Sequence, residues 1–251
     1  MSEPLILIPA RMASTRLPGK PLADIHGEPM IVHVWRRAQE AKAGRVAVAA
    51  AESEIVDAVT RAGGEAVLTR ADHPSGSDRI HEAAGLLDRE GRHDVIVNVQ
   101  GDLPTLDPAV VRAVVEALDA SGADIATLAT EIKDEAERTN PNVTKAVIAL
   151  GPGARTGRAL YFTRATAPWG EGPLYHHIGI YAYRRKALDR FVGLPPSGLE
   201  TREKLEQLRA LENGFAIHVV ETDYESFGVD TPEDLERMQA LFELSLTGGQ
   251  N

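Results

Sequence analysis

Cysteine is absent from the 251 residues, so disulfides, thiolate metal sites and a cysteine nucleophile are excluded. Any metal would have to be held by oxygen or imidazole. Long apolar runs are lacking as well. The one near the start, Leu5 to Ala10, is cut off by Arg11; it is too short for a signal sequence and far too short for a membrane span. A cytoplasmic protein without membrane partners is the expectation. Basic residues are in deficit, 27 Lys and Arg against 37 Asp and Glu for a formal net charge of −10. That balance disfavours nucleic acid, whose binders carry a basic face that displaces counterions. A small anionic ligand stays compatible if cations cluster locally.

No low-complexity tract argues for disorder, and this length can bury a substantial core. The expectation is a single domain over residues 1–251. Apolar runs of strand length alternate with amphipathic stretches of helical length, which predicts an α/β fold with a mostly parallel sheet and crossover helices. Strands are expected at Leu5 to Pro9, Val46 to Ala50, Glu65 to Leu68, Asp94 to Val99 and Ile125 to Thr130. Helices are expected at Pro29 to Ala41, Ser53 to Ala62 (with a serine cap), Asp78 to Glu90, and from Pro108 behind an Asp107 cap to about Ser121. From Asn140 the spacing changes. Thr144 to Ala149, Leu160 to Thr163 and Ile178 to Tyr183 are strand candidates separated by long loops, which predicts a mixed or antiparallel region with an exposed flap. A helix over Leu199 to Asn213, a short strand at His218 to Glu221 and a helix over Thr231 to Leu244 close the chain.

Ligands of open α/β sheets lie beyond the carboxyl ends of the strands. The first such loop reads RMASTRLPGKPL, with Arg11, Arg16 and Lys20 around Gly19. It can cradle a polyphosphate through backbone N–H groups and cations, although it lacks Walker A spacing. It can equally be a solvated basic loop. The strand VIVNVQGD delivers Asp102 to the sheet edge, either as a ligand for Mg2+ or as a turn or capping residue. In GVDTPED, Thr231, Pro232 and Asp234 are accounted for by helix initiation; Asp230 is not, and it could complete a metal site with Asp102. His176 and His177 lie in a strand candidate, where neighbours point to opposite faces, so at most one would face a site.

Taken together, the stretches IPARMASTRLPGKPLADIHGEPMIVHV, TRADHPSGSDR, VIVNVQGD, NPNVTKAV, ALYFTRATAPW, HIGIYAYRR, LEQLR and GVDTPEDLER closely resemble the 3-deoxy-manno-octulosonate (Kdo) cytidylyltransferases of lipopolysaccharide assembly, over nearly the whole chain. The resemblance implies a Rossmann-like nucleotidyltransferase fold, a homodimer, a sugar-binding and dimerisation subregion at about residues 140–200, and formation of CMP-Kdo and pyrophosphate from CTP and Kdo with Mg2+. Carried onto matching positions, Arg11, Arg16, Lys20, Ser77 and Gln100 would contact CTP. Asp102 and Asp230 would hold the metal, with Lys20 and Arg16 completing the catalytic group. Arg164, His177, Tyr181 and Glu206 would hold the sugar, Arg164 through its carboxylate. Leu103, Ala50 with Ala51, and Thr163 depart from residues frequent in the family, which leaves a modified sugar open.

The implied reaction is in-line attack of the anomeric hydroxyl on the α-phosphorus, driven by positioning and charge stabilisation. The alternatives are a cytidylyltransferase for 8-amino-Kdo or sialic acid, and a non-catalytic nucleotide or sugar sensor.

Overall fold

A computed structural model describes residues 2–225 and 227–248. The chain divides into two compact units. The first holds residues 5–91 and 98–108 with the C-terminal stretch; the second holds residues 92–97 and 109–225 with the first few residues.

In the first unit, β1 (Leu5–Ala10) is buried along nearly its whole length, as expected of a strand covered on both faces. A short hairpin follows, β2 (Asp24–Ile25) and β3 (Glu28–Pro29), around His26 and Gly27 at φ 52° and 81°. Two positive φ values are what a type I′ turn requires; strands of two residues carry no periodic signal, and this hairpin was not expected. Helix α1 (Met30–Glu40) buries Met30, Ile31, Val32, Val34 and Ala38. Then come β4 (Arg45–Ala50), α2 (Ser53–Arg61), β5 (Ala66–Leu68) and α3 (Gly76–Leu87). The strand order is β5-β4-β1, all parallel. Two helix starts differ from expectation. Ser53 does not cap α2; the cap position is Glu52, and the Ser53 hydroxyl donates to Glu54 instead. Helix α3 begins before Asp78, because the Ser75 hydroxyl accepts the Asp78 N–H at 3.2 Å.

The second unit contains β6 (Val95–Asn98) up to Val97, α4 (Pro108–Ser121) from Ala109 on, β7 (Ile125–Glu131), α5 (Glu135–Thr139), β8 (Lys145–Leu150), β9 (Thr156–Thr163), β10 (Tyr175–Arg184), α6 (Arg185–Val192), α7 (Gly198–Glu203), α8 (Gln207–Glu212) and β11 (Ile217–Glu221). Its strands run β6-β10-β7-β11-β9-β8. β7 pairs parallel with β11 and antiparallel with β10, so the mixed character begins at β7, ahead of residue 140. The single helix expected over Leu199 to Asn213 is two. Lys204 adopts the left-handed conformation at φ 56° and ends α7, and Glu206 opens α8.

Helix α9 (Pro232–Gly248) belongs to the first unit. Its Met238 packs with Ile25, Met30 and Val229, flanked by Leu17, Leu235 and Phe242. Among the described residues, no helix is long and apolar enough to cross a membrane.

Candidate functional site

The loop after β1 is held in shape by its own backbone and by one carboxylate. Gly19 donates its N–H to Met12 O at 3.2 Å from a φ of 71°, a conformation that glycine adopts without the penalty of a Cβ. Lys20 then starts a short 3-10 turn. Met12 donates its N–H to Glu52 Oε2 at 2.9 Å. Val99 N–H donates to Leu7 O at 3.0 Å, which carries Gln100, Gly101 and Asp102 alongside Pro9. A Cβ at Gly101 would lie 2.8 Å from Pro9 O, so the approach is closed to any larger residue. Under the loop lies a hollow of about 310 Å³ whose walls include Arg11, Ser14, Arg16, Lys20, Gln100 and Asp102. A second, of about 260 Å³, shares Arg11, Gln100 and Asp102 and adds His73, Ser75 and Arg79.

At the wall of the larger hollow the Lys20 ammonium sits between two carboxylates, 2.7 Å from Asp102 Oδ2 and 2.8 Å from Asp230 Oδ1. Arg16 Nη2 reaches Asp230 Oδ2 at 2.8 Å. Asp230 arrives there because Val229 N–H donates to Asp102 O at 3.0 Å and because α9 is capped as expected. Asp234 N–H donates to the Thr231 hydroxyl at 3.2 Å, and Asp234 Oδ2 accepts the N–H groups of Asp230 and Thr231. Burial works to lower the Lys20 pKa, but Asp102 and Asp230 outweigh it and the net shift is upward. Burial works to raise the Asp230 pKa, and Lys20 and Arg16 reverse that, holding it below its ordinary value. The quartet of two carboxylates and two cations is electrically balanced by itself. A bound triphosphate would leave negative charge in excess. Two converging carboxylates that leave room for phosphate oxygens and water form a donor set suited to a hard divalent cation such as Mg2+. Among the described residues, no group of three or more His, Cys, Asp or Glu could hold a metal, so the ligand would have to complete the coordination.

The TRADHPSGSDR stretch is organised around the buried guanidinium of Arg79. Arg79, 2% exposed, donates to Thr69 Oγ1 at 2.7 Å and Arg70 O at 2.9 Å. Glu82 accepts from His73 and from Arg70 N–H. Ser75 and Gly76 line the smaller hollow, whereas Ser77 is buried at 2% exposure in the first turn of α3. Arg79 closes the TRADHPSGSDR stretch, whereas Glu52 and Glu82 lie outside the motifs quoted above.

The expected sugar residues lie in the second unit. β10 pairs regularly with β7 through Ile178↔Leu128, then shifts register so that Tyr181, not Gly179, opposes Thr127. This bulge places His177 and Tyr181, four residues apart, on successive same-face positions with ring centroids 5.5 Å apart. The glycine within HIGIYAYRR was a legible hint of such a bulge. Of the histidine pair, His177 is the buried member; it meets Phe162 edge-on at 4.8 Å. Burial and then the neighbouring His176 depress its pKa to about 3. Burial, Tyr183 and Glu206 raise the Tyr181 phenol well above its ordinary value, so both rings are neutral. Glu206 stands 3.6 Å from Arg209 Nη2. The Arg164 guanidinium donates to three backbone carbonyls, Glu203 O at 2.8 Å, Pro141 O at 3.0 Å and Lys204 O at 3.5 Å. That geometry braces the loops around it and leaves two of its five N–H donors for a ligand.

A family model for cytidylyltransferases matches residues 5–223. The 3-deoxy-manno-octulosonate cytidylyltransferase of Parvibaculum lavamentivorans is 70% identical over 95% of this chain and 92% of its own length. That of Paramagnetospirillum magneticum is 66% identical over 95% and 97%. Among solved structures, CMP:2-keto-3-deoxy-manno-octonic acid synthetase complexed with CTP is 39% identical, superposes with a TM-score of 0.89, and covers 97% of this chain and 100% of its own.

Proposed function

The chain belongs to the cytidylyltransferase family, and from that premise we propose that it transfers CMP from CTP to the anomeric hydroxyl of Kdo, giving CMP-Kdo and pyrophosphate for lipopolysaccharide biosynthesis. The observation that carries this reading is the convergence of Arg16, Lys20 and Asp102 at the wall of a hollow under the glycine-containing loop, with Asp230 ion-paired to both cations. Arg11, Arg16 and Lys20 would neutralise the triphosphate as it binds, and Gln100 and Ser77 would serve the cytidine. Asp102 and Asp230 would hold a divalent cation, Mg2+ in this reading. Bound there, the ion would supply charge stabilisation for the departing pyrophosphate. Once the ligand's charge arrives, Lys20 can exchange a carboxylate for a phosphate oxygen, because an ammonium presents its donors on a flexible stem. No covalent enzyme intermediate is required; positioning and electrostatics suffice.

His177, Tyr181 and Glu206 would hold the sugar, with Arg164 a candidate for its carboxylate through its remaining donors. The region of about residues 140–200 would also form the interface of a homodimer in the cytoplasm. The test is pyrophosphate release by the purified protein with CTP and Mg2+ and either Kdo, 8-amino-Kdo or sialic acid. Release with Kdo supports the proposal. Release only with another acid sugar moves specificity to that sugar, and release with none leaves a nucleotide or sugar sensor.

A further inference from the structure

The bulge in β10 leaves a single hydroxyl with three polar neighbours. Thr127 on β7 is fully buried. Its Oγ1 lies 3.1 Å from Ile178 O, 2.9 Å from Ile180 O and 3.0 Å from His177 Nε2. In a regular ladder, carbonyls two residues apart on one strand point the same way but lie about 6.8 Å apart, too far for one hydroxyl to bond both at these distances. The register shift between Ile178 and Tyr181 is what brings them together. A hydroxyl has one proton to donate, and a carbonyl can only accept. If the Thr127 proton pointed at His177, the Oγ1 lone pairs would face two carbonyl oxygens at hydrogen-bond distance in a buried site, leaving those contacts repulsive and unsatisfied. The proton therefore goes to a carbonyl, Ile180 O being nearer, and Oγ1 accepts from Nε2–H. His177 Nδ1 is then a bare lone pair. Thr127 takes up Nε2 and His177 keeps 8% of its surface open, so Nδ1 is the ring nitrogen left for a ligand.

We propose that Thr127 is a positioning residue that locks His177 as the Nε2–H tautomer, so that Nδ1 acts as a neutral acceptor selecting a hydroxyl donor of the sugar and rejecting carboxylate or phosphate oxygens. The proposal rests on the reading that His177 contacts the sugar. Phe162 edge-on at 4.8 Å and Tyr181 at 5.5 Å fix the plane of the ring, so the tautomer alone decides whether the exposed nitrogen donates or accepts. Depression of the pKa to about 3 by burial keeps the ring uncharged at neutral pH, where the two neutral tautomers are the only competitors. A hydrogen bond from a sugar hydroxyl to Nδ1 requires no proton transfer, so its strength is independent of pH above that value.

The experiment is a long-range proton–nitrogen correlation spectrum of protein labelled with 15N histidine, with the His177 signals assigned by their loss in His177→Gln. The expected wild-type pattern is a protonated Nε2 and an unprotonated Nδ1. Thr127→Val should lose that pattern and raise KM for Kdo by about tenfold, the worth of one hydrogen bond, with KM for CTP unchanged. Thr127→Ser should restore both. A wild-type spectrum with Nδ1 protonated overturns the proposal, as does a Thr127→Val protein that keeps the wild-type spectrum. If Thr127→Val fails to fold, Thr127→Ala, which also removes the hydroxyl, is read in its place by the same spectrum. Absence of turnover with Kdo in the wild type would sink the functional reading, while the spectrum would still decide the tautomer.

Discussion

The Lys20 cluster of the first unit and the His177 cluster of the second handle polar groups in opposite ways. At Lys20 four charges stand partly in solvent, the side chain of Asp230 at 45% and that of Arg16 at 63% exposure, and each carboxylate is held by a cation that could be exchanged for a ligand. At His177 the imidazole and the Thr127 hydroxyl are buried, uncharged and tied to each other. The first arrangement suits a ligand whose charge must be neutralised and then redistributed. The second suits a ligand recognised by the direction of its hydroxyls, since in a low-dielectric pocket a misdirected hydrogen bond is penalised more than in water. The clusters are also assembled differently. Lys20, Asp102 and Asp230 are separated by 82 and 210 positions from Lys20 along the chain, while His177 and Tyr181 come from one strand through a bulge.

If the first cluster works by charge, removing one charge should have the largest consequence. Asp102→Asn is isosteric and should fold with an unchanged melting temperature, yet lose about a thousandfold in turnover, because metal-borne stabilisation is worth several kcal/mol. Near-normal pyrophosphate release with the same Mg2+ dependence would remove Asp102 from the site. Lys20→Ala should raise KM for CTP by about ten- to a hundredfold, as expected for loss of one to two charge-assisted hydrogen bonds. A change confined to the KM for Kdo would break the division of labour between the two clusters.

The neutral cluster makes a prediction with a sign. A histidine whose folded pKa lies near 3, against an ordinary 6.5, binds fewer protons in the folded than in the unfolded chain between those values. Its contribution to stability is complete above about pH 6.5 and falls away as the pH drops toward 3, by up to about 1.4 kcal/mol per pH unit. Urea titrations at pH 7, 5.5 and 4 should therefore show a shallower loss for His177→Gln than for the wild type. Equal slopes would mean that His177 is not buried in neutral form.

Smaller effects concern the backbone that delivers each cluster. Thr231→Ala removes one half of the capping box beside Asp230 and should cost about 1 kcal/mol in thermal unfolding. Lys204→Gly, just ahead of Glu206, should stabilise the protein by about 0.5 kcal/mol, because the left-handed φ of 56° is strained for lysine and open to glycine. A loss of stability there would mean that the lysine side chain contributes more than its backbone strain costs.

The sequence by itself determined the parallel half of the fold and the charged half of the site. Continuous apolar strands such as Leu5–Ala10, the RMASTRLPGKPL loop, QGD after β6 and the TPED helix start are local signals, because burial on both faces, helix capping and cation clustering leave marks within a few residues. Only the tertiary structure decided the rest. The break at Lys204 shows in no periodicity, since left-handed lysine is set by the packing on either side of it. The use of Arg164 as a brace depends on carbonyls from residues 141, 203 and 204. The pairing of Thr127 with His177 depends on a two-strand register that neither strand specifies alone. Side-chain type is written in the chain, but which hydrogen bonds a side chain has left to give is fixed by neighbours distant in sequence.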